Sequence, residues 1–409
     1  MRVALAPEGT LGDVQPLLVL GRWLRERGHE VRVCTGPDFA DLVRAQGFEH
    51  RPVGPSMRQE LGREAEAVVW GGLRLLRASD RMLRLALGEQ AHDLRRALAG
   101  CDHVIGGGAQ LVAPSISEAL GIPYRFVAYC PAIFPSGAHP PFVVKRQDRS
   151  PATHRLLWWL LLRGVGPLVR RRLGPLRAEL GLGPLADPYA YMLTSRPVLA
   201  ADPLLADVPP DTPMAVQQVA ALQPSPSAAL PPKLEHFLSQ GPPPVYLGFG
   251  SMTDPYPADT TRCLLEAVRL AGCRAVVSRG WAALGEGPLP EGVMVVDGVD
   301  HAALFPRLAA VVHHGGAGTT TTAARAGVLQ IVVPHLLDQF YWAGRVHLLG
   351  LGPPPLPRRR LRADRLGALL AAVLESETTA LRAQEFARQL AEVRPPPSAL
   401  ECLLEPIRR

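Results

Sequence analysis

Residues 313–327 read HHGGAGTTTTAARAG and follow the apolar run LAAVV. Gly and Thr both disfavour a helix interior, so this stretch either makes a plain turn or exposes backbone N–H groups to an anion. An apolar strand that ends in glycines and opens a helix places them at the carboxyl edge of a parallel sheet, where α/β proteins bind ligands. Gly315, Gly316 and Gly318 let backbone approach a phosphate, and the N–H groups of the first helical turn favour its charge. The hydroxyls of Thr319 and Thr320 are further donors. His314 supplies one more, with a pKa expected to rise beside a diphosphate. The plainer alternative makes His313 and His314 core-edge histidines and the threonines helix caps. After the next apolar run, QIVVP, Asp338 and Gln339 come to the adjacent strand edge. A carboxylate beside an amide suits vicinal sugar hydroxyls, although Asp338 is equally a candidate N-cap.

These residues need a scaffold, and the chain spells one twice. RVALA (2–6), the loop PEGTLG, a helix from about Val14 to Arg27, Gly28 and EVRVC (30–34) form a βαβ opening, hence a parallel sheet. The same grammar restarts at VYLGF (245–249), followed by GSM, a helix near 259–271, Gly272 and RAVVS (274–278). A second echo pairs residues 103–129 with 310–334. The expectation is α/β with two Rossmann-like domains: 1–205, a proline-rich linker 206–243, then 244–383, with a C-terminal helix over roughly 384–405 in the last segment, 384–409. Residues 57–100 and 130–180 have no counterpart in the second half, which points to an acceptor surface in the first. Their aromatics Trp70, Phe134, Phe142, Trp158 and Trp159 are candidates for it, though such residues more often pack than bind.

Composition narrows the class further. A chain of 409 residues, 47% hydrophobic and 20% charged, is globular and too long for one core. The net charge of +7 is spread over small arginine groups such as 170–172 and 358–360, so nucleic acid is not implied, while weak contact with an anionic membrane surface stays open. The six cysteines have neither CxxC nor zinc-ligand spacing and read as reduced core residues. MRVALAPEG is too short an apolar run for a signal peptide, and LLWWLLL (156–162) lies between Arg155 and Arg163, so a cytoplasmic protein without a membrane span is expected. A dinucleotide oxidoreductase is disfavoured because GTLG and GFGSM both lack the complete G-x-G-x-x-G fingerprint.

The run from His313 to Val346, with GTLGDVQP (9–16) and GFGSM (248–252), resembles the nucleotide-sugar-dependent glycosyltransferases of the GT-B fold. The branch is that of sterol, glycopeptide, macrolide and rhamnolipid glycosyltransferases. The resemblance implies two Rossmann-like domains facing across a cleft, with the C-terminal helix crossing back to the first. It implies that Thr10, Gly12, Ser251, His314, Gly316, Gly318 and Thr319 hold the donor diphosphate and that Asp338 and Gln339 bind the donor sugar. Trp281 and the backbone near Val299 would border the nucleobase, and Asp13 would act as general base in an inverting displacement. Asp13 is also a good N-cap, which lowers a carboxylate's pKa, whereas burial in an apolar cleft raises it. Leu11, Leu329 and the pair Asp300–His301 depart from the family's usual residues. No metal and no cofactor beyond the nucleotide sugar, expected to be UDP-glucose or similar, are implied; the expected partners are that donor and a lipophilic acceptor, with a monomer or homodimer. A non-catalytic homologue and a UDP-sugar epimerase are the competing expectations.

Overall fold

The computed structural model describes residues 1–70, 80, 81, 84, 86–225, 229–393 and 397–405. The first sheet comprises β1 (Arg2–Glu8), β2 (Glu30–Thr35), β3 (Glu49–Pro52), β4 (His103–Gly108), β5 (Tyr124–Ala128), β6 (Val198–Ala200) and β7 (Gln217–Val219), in the order β3-β2-β1-β4-β5-β6-β7. The second comprises β8 (Val245–Gly248), β9 (Ala275–Ser278), β10 (Val293–Val296), β11 (Ala310–His313) and β12 (Leu329–Val332), in the order β10-β9-β8-β11-β12. The pairings are parallel throughout. Each sheet therefore reverses its strand order once, between β1 and β4 and between β8 and β11, and such a reversal opens a crevice beyond the strand ends. Glu8 and Gly108 are register partners at the first reversal, and Gly248 and His313 at the second.

The central strands are apolar because helices cover both faces of a parallel sheet. Val3 to Ala6 and Ala310 to Val312 are fully buried. The helix Leu11–Glu26 turns Val14, Leu17, Leu18, Leu20 and Leu24 into that core. It begins three residues before the expected Val14, because Thr10 is its N-cap and Asp13 its third helical residue. The spacing T-x-x-D in TLGD is a capping box, a start signal that lies ahead of the first apolar position.

The stretch 206–243 is only in part a connector. Gln217–Val219 joins the first sheet as its edge strand, and the helix Pro232–Ser239 buries Leu234 and Leu238 against Tyr246 and Val276 of the second. Proline excludes central strands and helix interiors, and here a short edge strand and a helix with Pro at its first turn respect both limits.

The tail returns to the N-terminal domain, but not as one helix over 384–405. The helix Glu377–Glu392 stops, and a 3-10 segment, Pro397–Leu404, buries Leu400 and Leu403 in the cluster that contains Val3, Leu5 and Leu17. Pro395, Pro396 and Pro397 deny a continuous helix its backbone donors. Fully buried Arg125 fixes the return by donating to the carbonyls of Arg196 and Glu405, each at 2.9 Å. All six cysteines are free thiols. Among the described residues no helix is long and apolar enough to cross a membrane.

Candidate active site

Asp13 sits at the first strand reversal. Its Oδ2 accepts the Thr10 backbone N–H at 2.8 Å and the Thr10 hydroxyl at 3.3 Å. Tyr129 donates its hydroxyl to the Asp13 carbonyl at 3.1 Å, tying the helix start to the end of β5. The carboxylate thus belongs to the capping box as its acidic member rather than being the N-cap itself. Two opposing effects act on it. Burial raises its pKa and the Thr10 bonds lower it, and burial prevails, leaving it at about 6. Glu8, which the sequence reading did not single out, lies at the end of β1 and is raised to about 7 by burial, against a lowering hydrogen bond from Gln90 and with a further rise from the Asp13 charge.

Gly108 is what makes room for this carboxylate. At φ +69° it carries no side chain where a Cβ would stand 2.1 Å from the Glu8 carbonyl oxygen and 2.8 Å from Asp13 Oδ1. Gly108→Ala should therefore destabilise the fold by about 1–3 kcal/mol and reduce activity together, in urea unfolding and rate measurements. Gly62→Ala, whose Cβ meets nothing within 4 Å, is the neutral control.

The second reversal holds the glycine turn. His313 is fully buried, accepts the Gly315 N–H on Nδ1 at 3.1 Å and pairs Nε2 with Gln330 Oε1 at 3.0 Å. That network assigns the proton to Nε2. His313 shapes the turn, and burial keeps it neutral with a pKa of about 3. Gly315, at φ +91°, passes so close to the next helix that a Cβ would lie 2.9 Å from the Gln339 carbonyl. Gly316 is the N-cap of the helix Ala317–Arg325 and has no side chain to satisfy that helix's first donors. The N–H groups of Ala317, Gly318 and Thr319 therefore form an open anion site at a positive helix end. Thr320 spends its hydroxyl on the carbonyl of Gly316 at 2.9 Å, so it is not a free donor as expected. Thr319, half-buried, keeps its hydroxyl uncommitted.

His314 stands beside this helix end, its ring against Gly250, where a Cβ would meet Cε1 at 3.0 Å. Ser251, nearly buried, is the next residue in the turn after β8. Burial first, then the His301 charge, lowers His314 to about 4, so the ring is neutral near pH 7 and offers one N–H. The charge of a diphosphate acts in the opposite direction. Its buried Nδ1 has no partner.

Asp338 does not cap the helix Gln339–Leu348, although it occupies the N-cap position. Its Oδ2 accepts the Trp342 indole N–H at 3.3 Å instead. Leu337 just before it holds φ +51°, a strained backbone for a non-glycine residue. Burial and then repulsion from Asp13 raise Asp338 to about 7. The two carboxylates, one from each domain, thus lie within electrostatic reach of each other. Gln339 contributes less than expected: its Oε1 is taken by the N–H groups of His335 at 2.8 Å and Leu336 at 3.1 Å, which hold the turn. Only its amide N–H groups remain for a hydroxyl, and Nε2 lies 3.2 Å from Met252 Sδ.

The remaining candidates sort by packing. Thr10 is half-buried in the capping box and Gly12 exposed in the first turn. Trp281 stacks on Phe39 of the N-terminal domain, centroids 6.2 Å apart, and Val299 packs against the cluster around Tyr246 and Phe305. Phe134 is fully enclosed in the core, so it presents no surface to an acceptor; its place in the acceptor set is withdrawn. Phe142 is half-buried against the same core. Trp70 closes the helix Ala65–Trp70, and its side chain lies outside the described residues.

Residues 3–134 match the N-terminal domain of glycosyltransferase family 28, and residues 275–405 match the C-terminal domain of erythromycin biosynthesis protein CIII-like enzymes. The chain is 39% identical over 394 residues to vancomycin aglycone glucosyltransferase of Amycolatopsis orientalis, covering 93% of this chain and 92% of that one. It is a glycosyltransferase of this family. A sterol 3-beta-glucosyltransferase of Arabidopsis thaliana is 30% identical over 92% of this chain and 63% of its own length. In fold, the glycosyltransferase superposes on spinosyn forosaminyltransferase with a TM-score of 0.70 at 20% identity, covering 99% of this chain and all of that one. VinC in complex with dTDP gives a TM-score of 0.70 at 21% identity over 99% and 98% of the two chains. These likenesses place the glycosyltransferase in the GT-B fold, whose two parallel sheets carry Asp13 at one strand reversal and His314 at the other.

Proposed function

We propose that the protein transfers a hexose from a nucleoside diphosphate sugar, UDP-glucose or a close relative, to a hydroxyl of a lipophilic natural product, with inversion at the anomeric carbon. The observation that carries this reading is the placement of Asp13 in the capping box at one strand reversal and of His314 beside the Gly316-capped helix start at the other. Asp13 takes the acceptor proton as the hydroxyl oxygen displaces the diphosphate in a single step. The leaving charge falls on the open N–H groups of Ala317, Gly318 and Thr319 and on His314. Asp338 orients the sugar, and no metal is required because the helix end and the imidazole supply the stabilisation. Without an acceptor the same site would hydrolyse its donor slowly, whereas an epimerase would return an isomeric nucleotide sugar. The presence of Asp13, His314 and Asp338 together in one chain disfavours the non-catalytic alternative.

Turnover of UDP-glucose and dTDP-glucose with a panel of hydroxylated hydrophobic acceptors tests the proposal, with the anomeric configuration of the product read by NMR. A retained configuration or an epimerised donor overturns it. His314→Ala should raise the Kd for the nucleoside diphosphate and lower kcat by about 10²- to 10³-fold, the range for loss of one leaving-group donor. Calorimetric titration with UDP and dTDP checks the binding half of that expectation.

A further inference from the structure

A cavity of about 1260 Å³ opens between the N-terminal segments 138–148 and 207–210 and the C-terminal stretch 334–360. Asp13, His314 and Asp338 do not line it; His335 and Phe340, which do, flank the turn that carries Asp338. Its volume exceeds the ~300–1,000 Å³ common for small-ligand pockets, so it has room for a scaffold of several rings. Phe340, Tyr341 and five prolines make stiff apolar walls.

The charges on these walls are unbalanced. Besides Arg359, five Lys and Arg residues line the cavity, against Asp148 and Asp207. Arg146 is paired with Asp148 at 2.9 Å and Arg358 with Asp254 at 2.7 Å. Arg345 spends its donors on the carbonyls of Leu205 and Leu204, which leave its charge uncompensated. Among the described residues Lys145 has no carboxylate partner, and its ammonium lies 5.5 Å from the centre of the Phe340 ring. Arg360 is exposed at the same wall, without an ion pair among the described residues. Gathering like charges on an apolar surface costs free energy that a bound anion would recover.

We propose that this cavity binds an amphipathic organic anion, a carboxylate, sulfate or phosphate on an apolar scaffold, with Lys145 and Arg360 meeting the charge and Phe340 the scaffold. The inference rests on the transfer reading in one respect: the scaffold is that of the acceptor. Acceptors that carry an acidic group are then preferred over their neutral counterparts.

The test uses the full-length protein and two dyes of similar shape, the anionic 8-anilinonaphthalene-1-sulfonate and the neutral N-phenyl-1-naphthylamine. Fluorescence titration should show the sulfonate bound at least tenfold more tightly than the amine, and less tightly as salt rises. In the Lys145→Glu/Arg360→Glu double variant, sulfonate affinity should fall at least tenfold while that of the amine is unchanged. Equal affinity for both dyes, a variant that retains the sulfonate, or displacement of the sulfonate by UDP overturns the proposal. UDP affinity and donor hydrolysis, measured on the same variant, report on the transfer reading separately. Both side chains are exposed, so the variant should melt like the wild type.

Discussion

Asp13→Asn should lower the rate of transfer by about 10²- to 10⁴-fold, the range a positioned general base contributes, and make the protein more stable at pH 8. Both effects have one cause. The carboxyl titrates at about 6 in the folded chain against an ordinary 3.8. Between those values the folded state holds a proton that the unfolded state has lost, so stability falls as pH rises through that window. Above about pH 6 the full penalty of a buried charge is in place, and Asn removes it at a gain of up to about 3 kcal/mol. At pH 4 wild type and variant should differ little. The wild-type kcat/KM should rise with pH on a limb near 6 that the variant lacks. Urea unfolding at pH 5 and pH 8 and a pH–rate profile check the two halves. A variant with more than a tenth of wild-type activity, or with no gain at pH 8, places the base elsewhere.

Glu8 adds to this picture because it titrates at about 7 and feels the Asp13 charge. Two carboxyls that repel in a buried site ionise in sequence rather than independently. The lower limb of the rate profile is therefore expected to broaden, and Glu8→Gln should sharpen it and move it down.

The chemistry was more legible in the sequence than the geometry that tunes it. An apolar strand, glycines and a small-residue helix start announce the anion site, because those residue types are needed for backbone to approach a ligand. The strand orders follow from two βαβ openings. What local pattern could not supply is how tertiary neighbours occupy polar atoms. Gln339 reads as a ligand contact until His335 and Leu336 are seen to take its oxygen. Phe134 stands among the acceptor candidates until the core is seen to enclose it. Glu8 is overlooked because a single acid at a strand end is common; its signal is the register pairing with Gly108, visible only once β1 and β4 lie side by side. TLGD, by contrast, does carry the capping-box spacing that assigns Asp13 its place in the first turn.

Arg325→Ala should be strongly destabilising, costing about 3–5 kcal/mol as expected when an ion pair with a fully buried carboxylate loses its cation. Arg325 is in the last turn of the helix whose first turn offers the anion site, and it grips Asp202 of the N-terminal domain through two bonds of 2.7 and 2.8 Å. Asp202 is fully buried, and its other tie is the Ala221 N–H at 3.0 Å. Without the guanidinium its charge stays in the interior with one donor. Thr322, on the same helix, donates to Gln223 at 3.0 Å and Arg325 also donates to the Ala221 carbonyl at 3.1 Å, so the helix is fastened to the chain leaving β7 at two points. Loosening the far end should let the first turn wander, weakening UDP binding while the Asp13 limb of the rate profile stays near 6. A double variant, Arg325→Met with Asp202→Asn, should recover much of the stability, because no buried charge is left unpaired. Thermal unfolding of both variants and the wild type, with and without saturating UDP, measures this. If Arg325→Ala melts within a degree of the wild type, the pair is not what holds the donor helix to the N-terminal domain.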